Sequence, residues 1–153
     1  YIRFYFFKSF DYVAHMIINK KKYFLIIENT RDIELKNIKL HNKFVIIYRN
    51  KKKIVDINAL IKFRMRCLAK KIDFYVSHDV KLMKTIKADG LYISAYNRKL
   101  RLANFKKANF KIIGSAHNIK EINIKNLQKC SHIIFSRLFQ THYKKKSGLF
   151  RFN

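Results

Sequence analysis

Proline and tryptophan are absent from this chain of 153 residues, glycine occurs three times and cysteine twice. No proline- or glycine-rich tract divides the chain, so it has no linker by composition. Cys67 and Cys130 stand far apart with no C-x-x-C spacing, which excludes a disulfide framework and a zinc site and fits a reducing, cytoplasmic setting. Acidic residues are scarce, nine against 35 Lys and Arg, for a net charge of +26. Such an excess raises a nucleic-acid or anionic-membrane partner at once. The abundance of Lys, Ile, Asn, Phe and Tyr beside so few Gly is also the usage that AT-rich codons impose, and on that reading the charge reports coding bias. A long apolar run is missing too. The aromatic opening YIRFYFFKSFDYVAHMII is interrupted by Arg3, Lys8, Asp11 and His15, short of the roughly 18 apolar residues a spanning helix needs. Neither a membrane span nor a signal peptide is expected.

What the chain does have is apolar material, 49% of its residues, enough for the core of one domain and against disorder as its main state. From Tyr23 onward short apolar runs alternate with stretches of helical period, the pattern of repeated βαβ units. Strands are expected at 23–27, 44–48, 74–76, 90–93, 110–113 and 132–135, with helices near 79–87, 99–107 and 118–129. After the second strand, Ile54, Ile57, Ile61, Met65 and Leu68 share one side of a helix, which predicts that they face the sheet while Lys62, Arg64, Arg66 and Lys70 point outward. Ile119, Ile122 and Leu127 are the corresponding sheet-facing residues of the last helix. Units this compact suit an α/β fold of the (β/α)8 TIM-barrel type rather than a doubly wound sheet, with about six of eight strands present. The division expected is an N-terminal extension, 1–20, followed by a partial barrel domain, 21–153. Phe4, Phe6, Phe7 and Phe10 of the extension are candidates to cover exposed barrel surface. Because Tyr1 is not Met and no seventh or eighth strand precedes Asn153, a piece of a longer reading frame is expected, with two open parallel sheet edges.

In such folds the loops after the carboxyl ends of strands carry ligands. Here those loops are polar: Tyr48-Arg49-Asn50-Lys51, Ser77-His78-Asp79, Ser94-Ala95-Tyr96-Asn97, Gly114-Ser115-Ala116-His117 and Thr141-His142-Tyr143-Lys144. Basic and hydroxyl side chains at one rim indicate an anion site for phosphate or pyrophosphate. A single Lys at a loop in so basic a chain is as readily a solvated surface charge. Gly90 is expected to follow the end of a helix after Lys87. Gly114 and Gly148 are candidates for a positive φ or for close backbone approach to an anion. His132, inside a strand, reads as a packed residue.

The segments VIIYRNK, FYVSHD, ADGLYIS, KIIGSAHN and HIIFSRLFQTHYKKKSG, in this order and spacing, resemble the thiamine phosphate synthase and TenI family of β/α barrels. The resemblance covers about residues 23–148, six of the family's eight strands. It implies transfer of a pyrimidine methyl group from its pyrophosphate ester to a thiazole phosphate, yielding thiamine phosphate and pyrophosphate, with Mg²⁺ as cofactor. Arg49 and Lys51 match the family's pyrophosphate-gripping residues, while Ile47 stands at its Gln. Ser115 matches a serine near the pyrophosphate and His117 the family's following His. Thr141 and Lys144 match its phosphate-holding Thr and Lys, with Gly148 beside them, although Gln140 replaces a Pro and Tyr143 a second Thr. The metal position departs further: Ser77 and His78 align with Asn-Asp and Asn97 with a second carboxylate, which leaves Asp79, one position along, and Asn97 as the candidates to hold Mg²⁺. Neither imidazole nor an amide replaces a hard carboxylate oxygen well.

Three readings follow. The first is a thiamine phosphate synthase-like transferase, active or formerly so, that takes small phosphorylated substrates, with Arg49, Lys51, Ser115, Thr141 and Lys144 as phosphate ligands. The second is a TenI-like protein that binds or isomerises thiazole phosphate without a transferase metal site. The third is a basic nucleic-acid-binding module, against which stands the absence of any RNP or KH signature and the spread of charge along the whole chain. No G-x-S-x-G, Walker, H-E-x-x-H or G-x-G-x-x-G motif occurs. The oligomeric state is left open, a homo-oligomer included.

Overall fold

Unbroken apolar runs make strands that are covered on both faces. The computed structural model describes residues 5–6, 22–39, 41–50, 55–100 and 110–135, which fall in two compact units divided after Tyr92. In the first unit β1 (Tyr5–Phe6), β2 (Tyr23–Ile27), β3 (Phe44–Tyr48), β4 (Asp73–Ser77) and β5 (Gly90–Ile93) lie side by side in chain order. From β2 to β5 every pairing is parallel. Val45, Ile46, Ile47 and Tyr48 are all buried, so both faces of β3 are covered as its composition requires. β1 pairs antiparallel with β2, so the parallel edge expected to be open there carries two further paired residues. In the second unit β6 (Lys111–Ala116) and β7 (His132–Phe135) are parallel. All six expected strands are present. The helix expected near 99–107 and Phe4, Phe7 and Phe10 lie outside the described residues. No described helix is long and apolar enough to cross a membrane.

The helices α1 (Ile57–Ala69), α2 (Val80–Thr85) and α3 (Ile119–Leu127) share one construction at both ends. An Asx side chain opens each: Asp56 accepts from Ala59 N, Asp79 from Leu82 N and Asn118 from Glu121 N, at 2.8–2.9 Å. A lysine in the left-handed region closes each, with φ of 52° at Lys71, 52° at Lys87 and 58° at Lys129. Each lysine N–H bonds back to the carbonyl three residues before it, and the next residue's N–H to the carbonyl five before that residue. This is the Schellman arrangement, usually made with glycine. The strand follows two or three residues later.

Which face of a helix is buried differs from the sequence expectation. On α1 the buried residues are Leu60, Phe63, Arg64 and Cys67, whereas Ile57 (44%), Met65 (59%) and Leu68 (55%) are exposed, as is Ile61. The helix carries two apolar stripes on the order of 100° apart, each with helical period. Phe63 decides between them: its ring meets Phe74 edge-on at 5.6 Å, and Phe74 stacks near Tyr48 at 6.5 Å. Arg64 is drawn in with this face. Its guanidinium donates to Asp89 Oδ1 at 2.7 Å and to the Lys87 carbonyl at 3.2 Å, and Asp89 Oδ2 accepts the Phe74 N–H at 2.7 Å.

On α3 Ile119 and Leu127 are exposed, Ile122 is half-buried, and the fully buried side chains are Lys125 and Gln128. Gly114 is the cause. A Cβ there would stand 2.8 Å from Lys125 Cδ and 2.9 Å from Cys130 Sγ, so the missing side chain opens the channel in which the lysine stem lies. Neither Gly114 nor Gly90 has a positive φ. The close approach at Gly114 is by a side chain and not by an anion.

Three outcomes are expected in urea unfolding. Relieving the left-handed lysines by Lys71→Gly, Lys87→Gly or Lys129→Gly raises stability by about 0.5–1 kcal/mol each, the strain removed less the extra backbone entropy of glycine. Asp89→Ala lowers it by roughly 2–4 kcal/mol, because a buried guanidinium and the Phe74 N–H both lose their partner. Burial pushes the Cys67 thiol up to about 12 and the Cys130 thiol up to about 11 from 9.0, partly countered by Arg64 and Arg66 at the first and by Lys125 at the second. Both thiols therefore contribute stability that is complete below pH 9 and is lost as pH rises toward 11–12. Lys125, held below its ordinary 10.5 by burial, acts in the opposite sense up to that pH. The alkaline fall in urea midpoint is accordingly shallower in Cys67→Ala than in the parent chain.

Candidate functional site

The polar residues of the first unit gather at the carboxyl ends of β2, β3 and β4. Arg49 follows β3, its N–H bonded to the Ile27 carbonyl at 2.8 Å and its side chain exposed. Next to it Asn50 donates its amide to Tyr48 Oη at 2.9 Å. Ile47, at the position where the resemblance has a glutamine, is a wholly buried part of the core. Ser77 ends β4, and its Oγ is buried without any hydrogen-bond partner. An orphaned hydroxyl at a strand end is an unusual cost in a folded protein and marks a place where an incoming polar group would be held. His78 follows with a φ of 61°, its N–H bonded to the Tyr92 carbonyl at 2.9 Å and its ring 6.3 Å from that of Tyr92. A left-handed non-glycine residue at a strand end is backbone strain of the sort that collects at ligand sites. Asp79, one of the two candidates for magnesium, spends a carboxylate oxygen on the cap of α2.

In the second unit the corresponding loops are residues 94–97 and 117–118. Ser115 is buried near the end of β6. His117 Nδ1 lies 3.1 Å from Glu121 Oε2, and the same oxygen accepts the His117 N–H at 2.7 Å. The carboxylate thereby orients the imidazole ring through Nδ1. Tyr96, 72% exposed, sets its ring 5.7 Å from the imidazole. Asn97 Oδ1 accepts the Lys99 N–H at 3.0 Å, and its main-chain carbonyl is taken by Lys125 and Gln128.

Magnesium finds no carboxylate cage here. Among the described residues no group of three His, Cys, Asp or Glu side chains stands close enough to hold a metal ion, and the carboxylate of Asp79 and the side-chain oxygen of Asn97 are engaged as described. The described residues do not fit the cofactor that the resemblance implies. Lys51, Thr141, Lys144 and Gly148 lie outside the described residues.

Glu121 was not among the sequence candidates, although its signal is there: Asn118-x-x-Glu121 is a capping-box spacing, which turns the glutamate back toward the residues before the helix. Lys125 and Gln128 had no such signal, because the apolar period of α3 points elsewhere.

Comparison with known proteins supplies the family. A family model described as thiamine monophosphate synthase matches residues 16–151. No curated protein matches. Among solved structures, thiamine phosphate pyrophosphorylase from Pyrococcus furiosus is similar, with a TM-score of 0.56 and 15% identity over 76% of this chain. At that identity the likeness is one of fold, the α/β barrel type expected from the strand pattern. The match spans 60% of that enzyme's length. With nearly the whole sequence accounted for by one family model, the chain belongs to the thiamine monophosphate synthase family.

Proposed function

We propose that the protein serves thiamine biosynthesis as a thiamine phosphate synthase-like transferase acting on small phosphorylated substrates. In this reading the bond between the pyrimidine methylene carbon and its pyrophosphate oxygen breaks, the bond from that carbon to the thiazole nitrogen forms, and pyrophosphate leaves. The observation that carries the reading is the pair of features at adjacent strand ends within a family scaffold: exposed Arg49 after β3 and the buried, partnerless Ser77 hydroxyl at the end of β4. A leaving pyrophosphate needs fixed cations and donors where its charge grows, and a guanidinium offers several N–H groups in one plane. Lys51 and Ser115 would add to that grip, and Thr141, Lys144 and Gly148 would hold the thiazole phosphate.

A second reading has its own observation. The His117 imidazole, oriented by Glu121, is a group of the kind that takes up and returns a proton. It favours a TenI-like protein that isomerises thiazole phosphate by moving a proton, a reaction for which the missing carboxylate cage is no obstacle.

The test is an assay of the chain extended to its natural stop codon, with the pyrimidine pyrophosphate and thiazole phosphate as substrates, in Mg²⁺ and in chelator. Thiamine phosphate formation that falls about a hundredfold or more in Arg49→Ala is the expected result for the transferase, and the chelator arm reads whether the metal takes part. Isomerisation of thiazole phosphate that persists in chelator and is lost in His117→Gln establishes the second reading instead. Absence of both activities together with absence of thiazole phosphate binding by the folded chain overturns both.

A further inference from the structure

Among the described residues of the second unit, Lys125 and Gln128 are polar side chains buried at a cost. Both are fully buried, while Ile119 and Leu127 of the same helix are left 55% and 60% exposed. A turn of α3 about its axis would exchange polar for apolar burial, so the helix does not sit where hydrophobic burial alone would place it. Something else holds it, and the hydrogen bonds show what. Lys125 Nζ donates to the Asn97 carbonyl at 2.6 Å and to Gln128 Oε1 at 2.9 Å. Gln128 Nε2 donates to the same Asn97 carbonyl at 2.9 Å and to the Lys99 carbonyl at 3.3 Å. A buried ammonium with no direct carboxylate partner is thus directed at one loop carbonyl, and Gly114 has given up its side chain to let it pass.

The loop so gripped is the one that follows β5. The Asn97 N–H is bonded to the Ser94 carbonyl, and Asn97 Oδ1 accepts from Lys99 N, both at 3.0 Å. Between these points sits Tyr96, whose ring is exposed to solvent yet held against His117. An exposed aromatic side chain ordinarily spreads over several rotamers, and a fixed backbone on both sides is one way to restrict where its ring can go.

We infer that Lys125 and Gln128 are positioning residues: from the buried side of α3 they clamp the Asn97 carbonyl, and through it they set the Tyr96 ring beside His117. The clamp itself rests on the hydrogen bonds above. Its use, holding an aromatic wall for a planar heterocyclic phosphate at His117, rests on the function proposed in the preceding subsection. Neither side chain touches the ligand in this arrangement.

The experiment uses the full chain and the variants Lys125→Met, which keeps the stem and removes the ammonium, and Gln128→Leu, with Ile113→Val as a control for loss of stability alone. Two readouts precede any ligand: amide exchange at Asn97 and Lys99, and the NMR shift of the His117 ring protons, which the Tyr96 ring current displaces. The expected result is exchange faster by about tenfold or more at both amides and collapse of the His117 displacement in Lys125→Met and Gln128→Leu, with neither change in Ile113→Val. Unchanged exchange and an unmoved His117 signal overturn the clamp. Should Lys125→Met fail to fold, Gln128→Leu, which removes three of the four bonds and keeps the ammonium, decides by the same readouts. Thiazole phosphate binding is then measured. A loss of about tenfold in the variants with the control unaffected supports the use of the clamp. Equal affinity in parent and variants overturns that use. No binding by the parent chain overturns that use along with the proposed function, while the exchange and shift data still decide the clamp.

Discussion

A helix in a parallel β/α fold has to be turned back toward the next strand, and a residue in the left-handed region is a common way to make that turn within a few residues. Glycine is the usual choice because it adopts that region without strain. None of the chain's three glycines stands at the left-handed position that closes a described helix. Lysine stands there instead, at 71, 87 and 129, and the Schellman hydrogen bonds are complete at all three. The strain is met by what the turn allows: Ile72, Ala88 and Cys130 are delivered to the starts of β4, β5 and β7, and the opposite ends of β4 and β6 carry Ser77 and Ser115.

Glycine is therefore found where lysine could not substitute. At Gly114 the requirement is the absence of a Cβ, since Lys125 Cδ and Cys130 Sγ occupy that space. Cations are also found inside, although apolar residues of the same helices are left exposed. Arg64 is buried against Asp89 on α1, and Lys125 is buried against main-chain carbonyls on α3. The two are held differently. Asp89 is a carboxylate that also accepts the Phe74 N–H, so it joins a helix to the start of a strand with opposite charges in contact. Lys125 has only neutral acceptors, and burial lowers its pKa, partly countered by Cys130 and Glu121. A neutral cradle for a charged group is the more expensive arrangement, and it is found beside the loop that carries Tyr96.

The strands were legible because parallel strands covered on both faces need nothing but apolar runs, and FVIIY and HIIF can be little else. The helices were legible in place but not in rotation. α1 offers two apolar stripes of the same period, and only the size of Phe63 and the position of Phe74 select one. α3 defeats the period altogether, since Lys125 and Gln128 are buried for reasons that lie in Gly114 and in the loop at Asn97, 11 and 28 residues away along the chain. Of the site, the strand-end polar residues could be read from position alone. The orphaned Ser77 Oγ could not, and of the His117–Glu121 pair only the capping-box spacing could, because both depend on which atoms face each other after folding.

The loops of the two units, each taken by itself, differ in what they ask of a ligand. The loops of the first unit present a guanidinium and a hydroxyl without a partner, and such groups reward an acceptor-rich anion. Those of the second present a ring, an imidazole and a carboxylate that orients it, which suit a flat heterocycle that can exchange a proton. A magnesium ion would ordinarily neutralise a leaving pyrophosphate through two or more carboxylates, and the residues at those positions are a histidine in a left-handed turn, a capping aspartate and an asparagine whose carbonyl is already taken. Phosphate recognition and metal use are separable demands on this scaffold, and the residues described here meet the first more fully than the second.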